Sequence, residues 1–448
     1  MHTPWLGPSM RASGAFFLVL LAGGLLAPSP APAATPGSGS YAPDEVLVRY
    51  RGEPAEHELK LPAGTAVPDA VRTLRHDPRV AYANPDYVVT AAASCGFPND
   101  PGHRGPDCWR DDQWNFLPAT SVPGGVDGVG AWNNLADDGD PGAHGITVAV
   151  LDTGVAYRDK GSRFRRDPDL PPRRRFVHPA DFVGHDRVPL DEDGHGTHVA
   201  STIAQRTNNR RGLTGLAYGV KLMPIRVLNR HEKGTGSNVA HGIRYATKHG
   251  ADVINLSLEF KPRVAQCAQV VSVCKAIDRA VNRGVVVVAA AGNHSRTQVA
   301  LPAAAPGAIA VGASTYRGCL ADYSDRGDGL DLVAPGGGSD AGGTLNQRCD
   351  PVAVGPGIRQ FSLESGPGPD SFRRFGIVGL EGTSMAAAHV SAAAALVLGA
   401  GVLGSDDQPS EVESRLKCTA RPVPGDHFHY GAGLLDAGQA TSPTVLCP

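Results

Sequence analysis

Three short motifs contain the residue types of a nucleophilic catalyst. Leu151 to Gly154 places Asp152 after an apolar run, Asp193 to Ala200 places His195 among glycines, and Ser384 precedes an alanine-rich run. Taken singly, these residues are typical of a turn, a surface loop and a helix cap. Together they are the three parts of an acyl-transfer triad, in which Ser attacks a carbonyl, His moves the proton and Asp orients the imidazole.

Such a catalyst also needs hydrogen-bond donors for the oxyanion that develops during attack. A helix starting near Ser384 presents unpaired backbone N–H groups at its N-terminus. Asn293, which follows an apolar run, offers a second donor. Gly196 and Gly382 would let a substrate backbone approach closely. The sequence therefore contains candidates for the nucleophile, the base, the orienting carboxylate and the oxyanion hole.

The elements that must position these residues have the pattern of a parallel sheet with helices. Apolar runs that finish near Gly, Asp, Asn or Ser are typical of strands buried on both faces. These runs are Ile146 to Leu151, Leu222 to Leu228, Val253 to Leu258, Val285 to Ala291 and Ala308 to Val311. Helical stretches lie between them, for example Ser237 to Lys248 and Cys274 to Arg283. The alternation predicts an α/β fold with a doubly wound, mostly parallel sheet flanked by helices.

Functional residues of such sheets collect at the carboxyl ends of the strands. In this chain that rule points to Asp152, Ser257 and Asn293, each of which lies at or near the end of an apolar run. We expect these three residues to lie along one edge of the sheet.

The composition and the N-terminus bear on partners and location. The 448 residues include 42 Lys+Arg against 44 Asp+Glu, so no global charge favours nucleic acid or an anionic membrane. Arg11, the apolar Ala15 to Leu26 and Ala31-Pro32-Ala33 predict a signal peptide over residues 1–33. A retained anchor is the alternative, but the apolar stretch is shorter than the ~20 residues that span a bilayer. We expect a secreted monomer with no nucleic-acid partner and no stable membrane anchor.

Eight cysteines in an exported chain predict disulfide bonds. A metal site built from them is disfavoured because the chain contains no C-x-x-C motif. The cysteines fall into sequence-local couples, so nearest-neighbour bridging is the simplest arrangement. The couples are Cys95 with Cys108, Cys267 with Cys274, Cys319 with Cys349, and Cys418 with Cys447.

The motifs resemble those of the subtilisin-like serine proteases, or subtilases, in that family's order Asp, His, Asn, Ser. The segments that carry the resemblance are Ala149 to Gly154, His195 to Ala200, Val288 to Asn293, Gly382 to Ala386, Val333 to Gly336 and Tyr430 to Asp436. The resemblance implies a serine endopeptidase that hydrolyses polypeptides through an acyl-enzyme and needs no cofactor for the chemistry. It assigns Asp152, His195 and Ser384 to the triad and Asn293 to the oxyanion hole.

The resemblance also implies a role for residues 34–93. Exported subtilases carry a propeptide that assists folding and inhibits the enzyme until it is removed autocatalytically. Tyr41 to Thr90 contains two strand-like runs, Glu45 to Tyr50 and Val80 to Val89, rather than linker composition. We therefore expect a small α+β propeptide, with a degenerate linker as the alternative.

The remaining residues, 94–448, are predicted to form the peptidase domain, with an insertion at about 337–380. Within it the Pro/Gly-rich Gly336 to Pro369 predicts a long loop. By resemblance, a peptide substrate adds as a β-strand between two protein edges. The expected edges are Gly234-Thr235-Gly236 and Ser257-Leu258-Glu259.

Glu259 departs from the family, in which Gly is usual at this position. A carboxylate at the rim of the S1 pocket would favour a basic P1 side chain; alternatively, it points to solvent. Ser201 and Ala388 are further departures, where Gly and Pro are usual, but neither removes a catalytic group.

Calcium is common in the family, and this sequence permits a structural site. Gln113, Asp169 and Asn209 resemble the side-chain ligands of the family's tight site, and oxygen ligands suit a hard cation. Arg210 and Arg211 place two positive charges in the same loop, which would repel the ion unless they turn outward.

Other classes of site and protein remain open. Asp191-Glu192-Asp193 is either a second ion site or, as we expect, a solvated acidic turn. An inert relative would lack a triad residue, and none is missing. A metallohydrolase would use His195 and His198, but this H-x-x-H lacks the Glu and the i, i+4 spacing of a zinc-protease helix.

Overall fold

The structure is a computed structural model that describes residues 41–87, 97–102, 108–137, 142–261, 264, 266–342, 348–364, 372–404, 407–423 and 427–447. The chain divides into two compact units, Met1–Ala92 and Ala93–Pro448. The predicted signal peptide, residues 1–33, lies outside the described residues.

The first unit is a small α+β fold. Strand β1 (Tyr41–Tyr50) lies between β2 (His57–Lys60) and β3 (Val80–Tyr87) and is antiparallel to both. Helix α1 spans Val67–Arg75. Alternate strand residues share a face, so β1 and α1 bury a common set of apolar side chains, namely Val46, Val48, Val67, Val71 and Leu74. The strand-like alternation correctly predicted a folded unit rather than a linker.

The second unit is built on a seven-stranded sheet with the order β10-β9-β8-β7-β4-β6-β5. Every neighbouring pair in it is parallel. The strands are β4 (Thr147–Asp152), β5 (Ala180–Asp181), β6 (Lys221–Arg226), β7 (Val253–Leu256), β8 (Val286–Ala290), β9 (Ala308–Ser314) and β10 (Leu332–Pro335). The apolar runs of the sequence therefore correspond to the central strands of the sheet.

Helices cover both faces of this sheet. They are α2 (Trp109–Asp112), α3 (Gly128–Asp137), α4 (His195–Ala204), α5 (Gly236–Lys248), α6 (Val271–Val281), α7 (Thr383–Ala400), α8 (Pro409–Cys418), α9 (His427–Tyr430) and α10 (Ala437–Thr441), with short 3-10 turns at Trp114–Phe116, Arg173–Arg175 and Cys267–Gln269. Val148 and Val150 of β4 pack in one core with α4 and α7, whereas Ala149 and Leu151 pack in the other with α5 and α6. The predicted doubly wound α/β architecture is confirmed.

Helix α7 is the central helix of the unit. Among the described residues it is the one helix whose length and composition would suffice to cross a membrane, and 83% of that stretch is buried inside the protein. Alanine is its most frequent residue, and its buried side chains pack in the same core as Val286 and Val288 of β8. Its apolar character is therefore that of a core helix.

The prediction of a long loop from Gly336 to Pro369 is partly wrong, because this segment contains a strand. β11 (Ile358–Leu363) pairs antiparallel with β12 (Phe375–Leu380). The alternation was hard to recognise because β11 buries the polar Gln360 as well as apolar residues. Helix α4 is joined to this hairpin by Ser201 Oγ, which donates to the Phe361 carbonyl at 3.2 Å. The unusual Ser201 thus has a structural partner.

The disulfides follow the nearest-neighbour prediction where the structure describes both partners. Cys267 pairs with Cys274, Cys319 with Cys349, and Cys418 with Cys447. Cys108 is also disulfide-bonded, but Cys95 lies outside the described residues. Its pairing with Cys108 stays a prediction.

Candidate active site

The predicted site residues meet at one edge of the sheet. Asp152 is the last residue of β4, Ser257 directly follows β7, and Asn293 follows β8 after Ala291 and Gly292. These three strands are neighbours, so their carboxyl ends lie side by side. His195 is the first residue of α4, and Ser384 is the second residue of α7.

Asp152 and His195 are directly hydrogen-bonded. His195 Nδ1 lies 2.7 Å from Asp152 Oδ1, and the Thr153 backbone N–H donates to the same oxygen at 2.7 Å. Only glycine fits at position 196, because a Cβ there would lie 2.2 Å from the Gly154 carbonyl oxygen. A carboxylate on Nδ1 fixes the imidazole tautomer and leaves Nε2 as the nitrogen that accepts a proton.

The electrostatics around His195 favour its protonated form. Burial alone lowers the pKa of His195, but the charge and hydrogen bond of Asp152, together with the charges of Glu232 and Asp193, raise it to about 9. Nearby carboxylates stabilise an imidazolium, which is the state that a general base reaches after accepting a proton.

Asp191 holds the start of α4, a role that the sequence analysis missed. Its Oδ1 accepts the Thr153 hydroxyl at 2.9 Å and the Gly194 N–H at 3.0 Å, and its Oδ2 accepts the Thr197 N–H at 2.9 Å. Asp191 is 1% exposed, so the expectation of a solvated acidic turn was wrong for this residue. Free N–H groups at a helix start need such an acceptor, and an acidic residue just before the His motif was the available signal.

Ser384 lies at the N-terminus of α7, close to the end of β7. Its hydroxyl donates to the Ser257 carbonyl at 3.3 Å, and the Ser257 hydroxyl donates to the Ser384 carbonyl at 2.7 Å. Within the described residues the Ser384 hydroxyl makes no hydrogen bond to His195. Catalytic hydrogen bonds are often long or poorly aligned without substrate and tighten when it binds.

The side-chain amide of Asn293 has one defined orientation. Its Oδ1 accepts both the Thr383 N–H at 2.8 Å and the Thr383 hydroxyl at 2.9 Å. Because the oxygen is held by these donors, Nδ2 is the end of the amide that is left to donate. A Cβ built on Gly382 would lie 3.6 Å from Asn293 Nδ2 and 3.7 Å from the Ser384 backbone nitrogen. The two candidate oxyanion donors therefore flank Gly382.

The carboxylate of Glu259 is bound within the protein rather than turned to solvent. Its side chain is 18% exposed, and its Oε2 accepts from Arg296 Nη2 at 2.8 Å. The Asn293 backbone N–H donates to Glu259 Oε1 at 3.2 Å, and His294 Nδ1 lies 3.2 Å from the same oxygen. The carboxylate thus has partners within the protein, all of them in the segment that contains Asn293.

The two expected substrate edges lie near each other. Gly234 and Thr235 are exposed, and the Thr235 hydroxyl caps α5 by accepting the Asn238 N–H at 3.2 Å. A Cβ on Gly236 would lie 3.5 Å from the ring of Phe260. Phe260 is the residue that directly follows the second edge, Ser257-Leu258-Glu259. Leu258 is half-buried, and Ser257 is buried.

The residues proposed to bind calcium do not form a cation cage in this arrangement. Asp169 Oδ1 accepts from Asn209 Nδ2 at 2.8 Å, and its Oδ2 accepts the Leu213 N–H at 3.2 Å. Gln113 Oε1 accepts the Thr214 N–H at 2.9 Å. Asn209 Oδ1 is the one buried oxygen of these side chains that accepts no hydrogen bond within the described residues. Donors therefore face most of the expected ligand atoms, and calcium stays a prediction.

His198 is not arranged to share a metal ion with His195. It is fully buried, and its Nε2 donates to the Ile358 and Val378 carbonyls at 3.0 and 3.2 Å. Burial, together with the charge of His195, lowers the pKa of His198 to about 3. These contacts join α4 to the β11–β12 hairpin, which is a structural role.

A doubly wound sheet with Asp, His, Asn and Ser gathered at its carboxyl edge defines a serine hydrolase of the subtilisin type. Residues 143–433 match the Subtilase family. The chain belongs to that family, and it is a subtilisin-like serine endopeptidase.

Known proteins similar to this chain agree with that assignment. A thermophilic serine proteinase of Bacillus sp. strain AK1 is 31% identical over 90% of this chain and 88% of its own length. An alkaline protease of Alkalihalobacillus alcalophilus is 32% identical over 89% of this chain and 85% of its own length. Among solved structures, a protease of Pseudoalteromonas arctica is 29% identical, with a TM-score of 0.61, over 77% of this chain and 99% of its own.

Proposed function

We propose that this chain is a secreted, self-processing endopeptidase with Asp152, His195 and Ser384 as its triad. The observation that carries the proposal is the 2.7 Å contact between His195 Nδ1 and Asp152 Oδ1 at the end of β4, while Ser384 is hydrogen-bonded to Ser257 at the end of the neighbouring strand β7. This arrangement leaves His195 Nε2 free to act on the Ser384 hydroxyl when a substrate is bound.

In the proposed reaction, Ser384 Oγ attacks the carbonyl carbon of the scissile peptide bond while His195 Nε2 takes its proton. The oxyanion accepts hydrogen bonds from Asn293 Nδ2 and from the Ser384 backbone N–H. His195 then protonates the leaving amine as the C–N bond breaks, which leaves an ester on Ser384. His195 then takes a proton from a water molecule as that water attacks the ester carbonyl. When the C–O bond to Ser384 breaks, His195 returns the proton to Ser384 Oγ, which releases the acid product and restores the free hydroxyl.

Several features support secretion and processing. The chain has an apolar N-terminal stretch after Arg11, and the described cysteines are in disulfides, which persist in oxidising compartments. Residues 41–87 form a unit with its own small core, as expected of a propeptide rather than a linker. We propose that residues 1–33 are the signal peptide, that 34–93 are the propeptide and intramolecular inhibitor, and that 94–448 are the mature monomeric enzyme.

A fluorophosphonate probe tests the nucleophile directly. Such probes form a covalent bond with an activated serine, so we expect one modification on the folded, processed protein, located at Ser384 by peptide mass spectrometry. Heat-denatured protein is the control and should stay unlabelled. Folded and processed protein that does not react, or that reacts at another serine, would contradict the proposal and favour the inert-relative interpretation.

The pH dependence of activity tests His195 as the base. His195 must be neutral to accept the Ser384 proton, and its pKa is raised to about 9. We therefore expect kcat/KM to rise about tenfold per pH unit from pH 6 to pH 8, to reach half its maximum near pH 9 and to level off above it. Glu232→Gln removes one of the negative charges that raise this pKa, so it should move the rising limb to lower pH. A rising limb centred between pH 6 and 7 would mean that the carboxylates raise this pKa less than expected, whereas a kcat/KM that does not change between pH 6 and pH 9 would contradict His195 as the base.

A further inference from the structure

Glu259 raises a question that the proposed function does not answer. It stands at the expected rim of the S1 pocket, yet its carboxylate is bound by Arg296, His294 and the Asn293 backbone. We propose that Glu259 is a positioning residue that fixes the oxyanion loop, residues 292–296, and does not select a basic P1 side chain. This inference rests on the proposed function, since it assumes that Asn293 stabilises the oxyanion.

Carboxylates bind the backbone of the oxyanion loop along most of its length. The Asn293 N–H donates to Glu259 Oε1 at 3.2 Å, whereas the His294 and Arg296 N–H groups donate to Asp325 Oδ1 at 3.0 and 2.8 Å. Each carboxylate therefore holds a different part of the same loop. Of the two, Glu259 is the one that holds the residue whose side chain donates to the oxyanion.

Arg296 joins these two carboxylates. Its Nη2 lies 2.8 Å from Glu259 Oε2 and also forms an ion pair with Asp325 Oδ2. Asp325 is completely buried, so the guanidinium compensates a charge that burial makes costly. The Glu259, His294 and Asp325 side chains have the donor types of a metal site, but the Arg296 cation already lies between the two carboxylates.

Gly292 shows how closely the carboxylates pack on the loop. Its φ is +118°, and a Cβ there would lie 2.2 Å from Asp325 Oδ2 and 2.9 Å from Glu259 Oε2. The backbone of Gly292 therefore lies close to the carboxylates of both Asp325 and Glu259. Removing the Glu259 side chain would open space beside this backbone. Asn293 would then be held by Thr383 at its side chain but would lose the partner of its own N–H.

The energetic argument concerns preorganisation. An oxyanion donor is effective when it is already aimed at the position where charge develops, because no reorganisation is then needed during the reaction. Thr383 fixes the end of the Asn293 side chain, and Glu259 fixes the backbone from which that side chain extends. A P1-selecting carboxylate would instead have to be free to pair with the substrate, and Arg296 already pairs with this one.

A double-mutant cycle tests the proposal through kcat and KM on the processed enzyme. Asn293→Ala should lower kcat by about 10²- to 10³-fold, and Glu259→Ala should lower it by roughly tenfold or more with little change in KM. In the Asn293→Ala background, Glu259→Ala should change kcat by no more than about twofold, since its effect passes through Asn293. Glu259→Gln keeps an acceptor for the Asn293 N–H and should restore much of the rate.

One further variant separates positioning from specificity, and a second variant serves as its control. Arg296→Gln frees Glu259 from its ion pair, so positioning predicts a lower kcat for every substrate, whereas P1 selection predicts faster cleavage after Lys and Arg. Glu411→Ala, which changes an exposed glutamate on α8, is the matched control and should match the wild type. Each kcat is divided by the fraction of enzyme that reacts with the fluorophosphonate, so that misfolded protein does not count.

The outcomes distinguish this inference from the proposed function. Losses that multiply in the double variant, or a Glu259→Ala defect confined to basic P1 substrates, would overturn the positioning role. If Asn293→Ala has the expected lower kcat but Glu259→Ala has the kcat of the wild type, the positioning inference fails while the proposed function stands. An Asn293→Ala variant as fast as the wild type would overturn the oxyanion assignment of the proposed function itself.

Discussion

Replacing Ser384 by alanine is expected to lower kcat for peptide hydrolysis by roughly a millionfold, the loss typical when the nucleophile of such a triad is removed. The variant has no hydroxyl to form the acyl-enzyme, so turnover would rely on the oxyanion donors and bound water. It should also fail to remove residues 34–93, since the proposed cut is autocatalytic. The rate is measured on a fluorogenic peptide, and the processing by intact mass.

Ser391→Ala is the matched control, because it makes the same substitution on the same helix. Ser391 is fully buried and its hydroxyl donates to Asn255 Oδ1 at 2.9 Å. Losing this hydrogen bond should lower stability by about 1 kcal/mol without abolishing activity. A Ser384→Ala protein that still matures and cleaves peptides at the wild-type rate would show that another group is the nucleophile.

The sheet and the strand-end residues were predictable from sequence because both depend on local pattern. Strands buried on both faces are continuous apolar runs, and the polar residue after each run marks its carboxyl end. Asp152, Ser257 and Asn293 could therefore be placed on one edge before their side-chain contacts were known. The local pattern fails for β11, in which a buried Gln360 interrupts the apolar alternation.

The partners of the site residues were not predictable in the same way, because they are distant in sequence. Thr383 orients the Asn293 amide, and Arg296 pairs with Glu259. In both cases the two residues lie on different elements and meet only after the sheet has formed. The sequence around Glu259 predicts a negative charge at the rim of the S1 pocket. It does not predict that Arg296 compensates this charge. For Asp191 the signal was present, since an acidic residue before a helix is a common cap.

Helix α7 shows why composition alone misleads without tertiary context. Its length and hydropathy would suit a membrane span, yet most of it is buried in the core of the second unit. Small side chains let this helix pack closely against the sheet, and that position sets Ser384 beside the ends of β7 and β8. The feature that resembles a membrane anchor is therefore the element that carries the proposed nucleophile.

Asp152→Asn is expected to lower kcat by about 10⁴-fold while leaving the fold intact. The carboxylate both accepts the His195 Nδ1–H and raises the pKa of His195 to about 9. An amide removes the charge, and if its NH₂ group faces Nδ1 it favours the wrong imidazole tautomer. Two effects should appear together: a lower plateau of kcat and a rising limb of kcat/KM moved to lower pH.

Asp252→Asn provides the comparison at the opposite end of the same strand. Asp252 Oδ2 accepts the Thr147 N–H at 2.7 Å where β4 begins, whereas Asp152 lies where β4 ends. Both substitutions remove one carboxylate charge next to β4, but only Asp152 contacts His195. We expect Asp252→Asn to alter the unfolding temperature and to leave the pH profile unchanged. Equal losses of kcat in the two variants would mean that Asp152 acts by supporting the strand, and the triad assignment would then fail.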